Sequence, residues 1–291
     1  MVSDSCVVKL DGGLGNQLFQ YAFIKSIGLK YGIDYFADIS AYTEAKGRGS
    51  FELNKLNVPQ QRIVSDKNIV KHIHLLRLLR KLPKIPSSNF FIERDVNFDQ
   101  AATQKYYRLY YGYFQSYKYF EDIKEVLRSE FTCSIADATT FANEIKRCNN
   151  AIALHVRRGD YLSNKKAASK MAHLTDEYYI SALKLLKSQL ADPKVFIFSN
   201  DISWVANVLV KKLAVIAPCT IVDTSNMADA ALIDFSLMKM CKHQIIANST
   251  FSWWSAYLNP YPNKLVVAPS KWYQAIKHNL SDLYPREWIV V

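Results

Sequence analysis

Hydrophobic and polar positions along this chain follow two periods, and the change from one to the other marks its elements. Cys6-Val-Val-Lys-Leu10 is a short apolar run, followed by a polar, glycine-rich turn from Asp11 to Asn16. Phe19, Ala22, Phe23 and Ile27 then recur at helical spacing as far as Tyr31. This start predicts a strand, a tight turn and a helix. Asp34 to Asp38 predicts a second strand. Ile69, Ile73, Leu76 and Leu79 return at helical spacing in a segment closed by Pro83 and Pro86. Residues 106–120 are the aromatic peak of the chain, with a charged helix expected over 121–131 and another ending near Cys148.

The second half alternates strand and helix, which predicts a parallel sheet. Residues 151–156 (Ala-Ile-Ala-Leu-His-Val) read as a buried strand running into Arg157-Arg158-Gly159-Asp160-Tyr161. Thr175 is expected to cap a helix that continues to Leu190. Val195-Phe-Ile-Phe198 is a strand ending in Ser199-Asn200-Asp201, and residues 230–241 are helical with Asp234 near the start. Gln244-Ile-Ile-Ala247 is a strand that leads through Asn248-Ser249-Thr250 into a helix opening with Phe251. Three strands thus end in polar clusters at one rim of one sheet. Ligands of open α/β sheets bind beyond the carboxyl ends of the strands.

With 291 residues and 49% hydrophobic content the chain can bury a large core, and its length suggests two domains. The polar stretch 146–150 is the best linker, dividing the chain into residues 1–150 and 151–291. No apolar run approaches the roughly 18 residues of a membrane span. The first residues show neither the basic nor the apolar part of a signal peptide. Five widely spaced cysteines without a Cys-x-x-Cys pair read as reduced thiols, so a cytoplasmic setting is expected. A net charge of +11 fits nucleic acid, an anionic membrane surface or phosphorylated small molecules, and composition does not choose among them. Residues 62–84 hold seven basic side chains against one acidic. That segment is either an amphipathic helix with a solvated basic face or a peripheral contact with an anionic membrane.

Arg157 and Arg158 give the first chemical lead. A guanidinium makes paired, charge-assisted hydrogen bonds to a phosphate, and two adjacent forks can serve a diphosphate. Gly159 permits a close turn, and Asp160 can hold one guanidinium. Hydroxyls and amides at the helix beginning after Ser249 and Thr250 make a second phosphate site. Gly12-Gly-Leu-Gly15 is either an anion cradle or a tight strand–helix connection. It is not a P-loop, because no Gly-Lys-Ser/Thr follows, and Leu18 stands where a dinucleotide fingerprint has its third glycine. Asn16 and Gln17 suit sugar hydroxyls, as do Gln115 and Ser116 in the aromatic stretch, although core packing is the expected job of most rings there. The chain has no Asp-x-Asp, no His-x-x-x-His and no Gly-x-Ser-x-Gly. A diphosphate would then be neutralised by cationic forks and a helix terminus, without a metal ion.

Gly12-Gly-Leu-Gly-Asn-Gln-Leu-Phe-Gln-Tyr-Ala22, Gly112-Tyr-Phe-Gln-Ser116, His155-Val-Arg-Arg-Gly-Asp160, Phe198-Ser-Asn-Asp201 and Asn248-Ser-Thr-Phe-Ser-Trp-Trp-Ser-Ala256 resemble the ordered motifs of the α-1,2-fucosyltransferases, glycosyltransferase family 11. The resemblance spans nearly the whole chain. It implies a GT-B-like α/β fold of two Rossmann-like domains with a donor/acceptor cleft between them. The N-terminal domain would be the acceptor side and the C-terminal one would bind GDP-fucose. The implied reaction is inverting, metal-independent transfer of L-fucose to a galactose-terminated glycan such as an O-antigen unit. By matching position, Arg157 is the diphosphate-binding arginine and His155 a donor-pocket residue. Ser249 and Thr250 are the β-phosphate site, with Phe251 beside them. Gly13 and Gly15 are donor-side glycines, Arg158 and Asn200 lie on the donor side, and Asp234 is placed to read guanine. Eight residues past Arg157, where a core α-1,6 enzyme has a glutamate, this chain has Lys165. That leaves the base open: Asp160 is either the base or the partner of an arginine or of His155. Two other readings are a basic nucleic-acid-binding protein and a sugar-nucleotide-binding module without transferase activity.

Overall fold

A computed structural model describes residues 5–44, 50–66, 89–133, 140–159, 169–276 and 278–291. The basic segment 69–82, Asp160 and Lys165 lie outside these residues. The chain forms two compact units, residues 1–132 with 281–284, and residues 133–280 with 285–291. The division falls earlier than the polar stretch 146–150. The helix Thr140–Arg147 buries Ala142 and Ile145 in one apolar cluster with Ala151, Ala153 and Phe196, so it belongs with the sheet that follows it.

The first unit is a parallel sheet of five strands: β1 (Ser5–Lys9), β2 (Asp34–Asp38), β3 (Ile63–Val64), β4 (Phe90–Ile92) and β5 (Leu109–Tyr111). Their order is β3-β2-β1-β5-β4. β1 is central and buried along its whole length, as parallel strands are when both faces are covered. Helix α1 (Leu14–Tyr31) follows it with the expected apolar face, and Leu18, Phe19, Ala22 and Phe23 are fully buried. The turn before α1 needs glycine at residue 12, where φ is +87°. The aromatic stretch does pack as core. Tyr110 and Phe114 are fully buried, and Phe114 stacks on Phe23 at 3.8 Å with rings 4° from parallel. Residues 281–284 are held by Asp282, which meets Lys118 Nζ at 2.6 Å and the Phe98 amide at 3.2 Å.

The second unit is a parallel sheet of six strands: β6 (Asn150–Val156), β7 (Pro193–Ser199), β8 (Cys219–Val222), β9 (His243–Ile245), β10 (Val266–Ala268) and β11 (Ile289–Val290). Their order is β11-β10-β9-β6-β7-β8. β6 and β7 pair over seven residues, from Asn150 opposite Pro193 to Val156 opposite Ser199. Helices α2 (Thr140–Arg147), α3 (Asp176–Lys187), α4 (Ala230–Met240) and α5 (Thr250–Tyr257) cover the sheet. Leu183 and Leu186 of α3 pack with Ile152, Leu154 and Val195 in one cluster; Ile233 and Leu237 of α4 pack with Ala153 and Phe198 in another. Because β6, β7, β8 and β9 all run parallel, the loops leaving them share one rim. Among the described residues no helix is long and apolar enough to cross a membrane.

Two glycines of the first unit test the packing. A Cβ on Gly28 of α1 would sit 2.4 Å from the Tyr35 ring, whereas one on Gly13 would meet nothing within 4 Å. Gly28→Ala is therefore expected to destabilise the protein by about 1–3 kcal/mol through overpacking. Gly13→Ala should stay within about 1 kcal/mol of wild type. Chemical denaturation of both variants checks the contrast, and equal losses would contradict it.

Candidate active site

β6 is buried up to its last residue, and polar chemistry begins where its pairing with β7 stops. His155 is 4% exposed, its ring 5.7 Å from that of Phe251. Burial, and then the charge of Arg157, push its pKa down to about 3. His155 is thus a neutral ring at physiological pH. Its Nδ1 is buried with no hydrogen-bond partner among the described residues. Leaving such a group unsatisfied costs about 1–3 kcal/mol.

The turn after Val156 is tied to the end of the next strand. Asn200 Oδ1 accepts hydrogen bonds from the amides of Arg158 (3.0 Å) and Gly159 (3.2 Å). A Cβ on Gly159 would lie 3.1 Å from the Asn200 carbonyl oxygen, so a small residue is needed there for this approach. Arg157 is half-buried on the turn so fixed.

Arg158 takes a different position from the paired forks expected of the sequence. Its guanidinium carbon stands 4.6 Å from the centre of the Trp204 ring, and its Nε is 3.5 Å from Asp201 Oδ2. Asp201 also accepts the Trp204 amide at 3.1 Å, capping the helical turn that carries the tryptophan. Stacking of a guanidinium on indole is worth about 0.5–2 kcal/mol. Arg158 therefore braces the loop between β7 and its helix, with Asp201 as its carboxylate partner. Asp160 itself lies outside the described residues.

β9 leads through Ile246, Ala247 and Asn248 to the start of α5. Asn248 Nδ2 donates to the carbonyls of Ala172 (2.7 Å) and Trp272 (3.0 Å), which fixes the entry of this helix. Ser249 stands at the helix N-cap but its side chain does not cap the helix. Backbone N–H groups at the N-terminus and the Ser249 and Thr250 hydroxyls are a combination suited to an anion. Phe251 packs on Phe235 as well as on His155 and seats the helix against α4. Beyond β8, Thr224 Oγ1 donates to Asp234 Oδ1 at 2.7 Å. Burial raises the Asp234 pKa to about 6; the Thr224 hydrogen bond opposes that shift and the charge of Asp223 adds to it. Thr224 was not singled out in the sequence, since its strand carries only four residues.

Six residues read as ligand-binding lie in the first unit instead. Gly13 is exposed at the start of α1, and Gly15 is buried within it. Gln17 is fully buried, donating to the carbonyls of Gly12 (3.0 Å) and Ser50 (2.9 Å) and accepting the Glu52 amide (3.0 Å). Its carboxamide shapes the glycine turn rather than meeting a sugar. Ser116 is also fully buried, with its hydroxyl on the Asp282 carbonyl at 2.5 Å. It anchors residues 281–284, not a ligand. Gln115 and Asn16 hydrogen-bond each other at 2.9 Å. His155, Arg157, Arg158, Asn200, Asp234, Ser249, Thr250 and Phe251 all belong to the second unit.

Known proteins are similar to nearly the whole length of this chain. The chain is 30% identical over 286 residues to an Escherichia coli α-1,2-colitosyltransferase, with 97% of each chain covered. It is 31% identical over 310 residues to the E. coli O-antigen biosynthesis glycosyltransferase WbnK, covering 96% of this chain and 98% of the other. A galactoside α-(1,2)-fucosyltransferase of Leontocebus fuscicollis is 23% identical over 273 residues, covering 88% and 66%. Among solved structures, the NodZ α-1,6-fucosyltransferase crystallised with GDP superposes with a TM-score of 0.52 at 15% identity, covering 88% and 92%. A variant of Arabidopsis thaliana FUT1 with GDP gives 0.52 at 10% identity, covering 90% and 70%. These likenesses show the fold, which is GT-B-like with two Rossmann-like α/β units. The model of glycosyl transferase family 11 matches residues 5–291, and the chain belongs to that family of glycosyltransferases.

Proposed function

We propose that this glycosyltransferase moves L-fucose, with inversion and without a metal ion, from GDP-β-L-fucose to O2 of a galactose residue in a surface glycan. The observation behind this reading is the gathering of three unlike groups at one rim of the second sheet. Arg157 follows β6, the uncapped start of α5 follows β9, and the half-buried Asp234 accepts the Thr224 hydroxyl beyond β8. A cationic fork, a helix N-terminus and a carboxylate match the phosphates and the N–H edge of a guanosine diphosphate.

In this mechanism Asp234 accepts the guanine N–H groups, while Arg157 and the first turn of α5 take the β-phosphate. The acceptor O2 attacks fucose C1 on the face opposite GDP. The C1–O2 bond forms, the C1–O bond to the β-phosphate breaks with its electron pair leaving on GDP, and O2 gives its proton to a general base. Charge builds on the diphosphate as the ring becomes oxocarbenium-like. Groups already fixed around that charge stabilise the transition state more than the ground state. His155 serves as a neutral hydrogen-bond partner, because burial holds its pKa near about 3. Asp160 stays in both its roles, as base or as partner of a neighbouring side chain.

The kinship to an α-1,2-colitosyltransferase favours a second donor. Colitose is fucose without its 3-hydroxyl, so the two GDP-sugars differ by one hydrogen-bonding group. Incubating the protein with each donor and a β-galactoside, then reading linkage and anomeric configuration by NMR, decides between them. GDP-fucose is expected to give an α-1,2 product at an unchanged rate in EDTA. A requirement for Mn²⁺, or exclusive use of the 3-deoxy donor, would contradict the reading. A binder without transferase activity would bind GDP and release none from the donor.

Arg157→Lys keeps the charge and loses the fork. Losing a desolvated charge partner costs roughly 2–5 kcal/mol, so most turnover should disappear while the circular-dichroism melt is retained. Near-normal turnover would remove Arg157 from the donor site. For Asp234 the sign is set by its raised pKa. The folded carboxyl holds its proton more tightly than an unfolded one, which titrates near about 4. Its stabilising contribution is therefore fullest below about pH 4 and is lost as pH rises through about 6. Asp234→Asn should melt higher than wild type at pH 8 yet bind GDP roughly tenfold more weakly there. Wild-type affinity should itself fall as the pH drops below about 6. Wild-type GDP affinity in Asp234→Asn at pH 8 would exclude a base-reading role.

Peripheral contact with an anionic membrane through residues 69–82 belongs to the same reading, at about 1 kcal/mol for each basic residue near the surface. Co-sedimentation with anionic liposomes at low salt, lost at high salt, is the expected result. Protein left in the supernatant at low salt would exclude it.

A further inference from the structure

The carboxyl ends of β1, β4 and β5 in the first unit hold a second cluster that the donor reading does not use. β5 ends at Tyr111 and the chain turns through residues 112–116. Glu93, 4% exposed just after β4, accepts the amides of Tyr113 (2.7 Å) and Phe114 (2.8 Å). A Cβ on Gly112 would meet the Glu93 side chain at 2.4 Å, so the turn lies directly against this carboxylate. Gln20 of α1 joins the turn to the loop after β1, donating to the Gly112 carbonyl and accepting the Asp11 amide, each at 2.9 Å. Phe114 has φ +53°, a left-handed backbone that costs a non-glycine residue about 1–3 kcal/mol.

That backbone sends two consecutive rings in opposite directions. Phe114 turns into the core and stacks on Phe23. Tyr113 is 36% exposed, the most exposed ring between residues 106 and 120. On the adjoining loop the Asp11 side chain is 21% exposed and pairs with the buried Lys9 at 3.5 Å. Core packing explains Phe114. It does not explain a clamped, strained turn that sets a phenol ring outward beside a carboxylate.

The geometry points to an acceptor-sugar subsite on this rim, with the Tyr113 ring against the apolar face of a galactopyranoside and the Asp11 carboxylate accepting its hydroxyls. A neutral sugar offers no charge for recognition. Its C–H face suits an aromatic surface, and a pair of hydroxyls suits an ionised acceptor. Gln115 and Ser116, expected from the sequence to meet the acceptor, instead hold the turn in place through Asn16 and the Asp282 carbonyl. The inference rests on the proposed galactoside acceptor and adds the residues that bind it.

The test uses the full chain with GDP and methyl β-D-galactopyranoside, read by saturation-transfer difference NMR, together with acceptor KM in the transfer assay. Wild type and Tyr113→Phe are expected to show transfer to the sugar C–H face. Tyr113→Ala, Tyr113→Leu and Asp11→Asn should each raise acceptor KM roughly tenfold. Donor KM and GDP protection should be unchanged, as should the melt of the Tyr113 variants; Asp11→Asn, which leaves the buried Lys9 without this charge partner, should melt lower. If GDP-fucose is not consumed but galactoside binding depends on Tyr113, the donor assignment fails and the subsite stands. If transfer proceeds and Tyr113→Ala or Tyr113→Leu leaves acceptor KM within about twofold, the subsite is overturned and the transfer reading stands. No galactoside signal in wild type would also overturn it.

Discussion

Two backbone amides, of Arg158 and Gly159, converge on a single oxygen, Oδ1 of Asn200. The rest of this rim depends on that lock. It forms because β6 and β7 run in parallel register to their ends, with Val156 opposite Ser199. In this register the residue after Ser199 stands beside the turn that leaves β6. A one-residue slip would reverse the side-chain directions of β7 and carry Asn200 away. With the turn fixed, Arg157 has a defined position, and Arg158 is drawn aside onto Trp204 and Asp201.

The same rim separates charge from neutrality by burial. The chain is strongly basic, yet the side chain immediately before Val156 and Arg157 is a neutral imidazole, because burial and the neighbouring arginine both oppose its protonation. Burial raises the Asp234 carboxyl to about 6, and the Thr224 hydroxyl pulls it back towards ionisation. A site of this kind presents positive charge at the arginine and helix terminus, and a tunable carboxylate beyond β8. Desolvation makes each of these interactions stronger than it would be in water. In the first unit, burial instead turns amides into scaffold: Gln17 and Gln20 connect the glycine turn to Ser50, Glu52 and Gly112.

Much of the fold was legible because the long elements obey simple periods. The helix through Tyr31, the strand Asp34–Asp38 and the alternation of the second half all lie close to their expected places. β3, β10 and β11 were not, since strands of two or three residues carry no usable alternation. β5 was hidden inside an aromatic run that packs as core. The strand-end clusters at Arg157, Asn200 and Ser249 could be read because polar residues abruptly follow buried strands. The direction of a side chain could not be read from spacing. Spacing alone separates neither Arg157 from Arg158 nor the exposed Tyr113 from the buried Phe114. Those differences arise from tertiary partners, Trp204 and Asp201 for the arginines, Glu93 and Phe23 for the rings.

The most direct test of the donor site is calorimetric titration of the protein with GDP and, separately, with GMP. The cation fork of Arg157 and the start of α5 are assigned to the β-phosphate, which GMP lacks. GDP is therefore expected to bind at least roughly tenfold more tightly than GMP, with Arg157→Lys removing most of the difference. Equal affinities of wild type for the two nucleotides would contradict a diphosphate site on this rim.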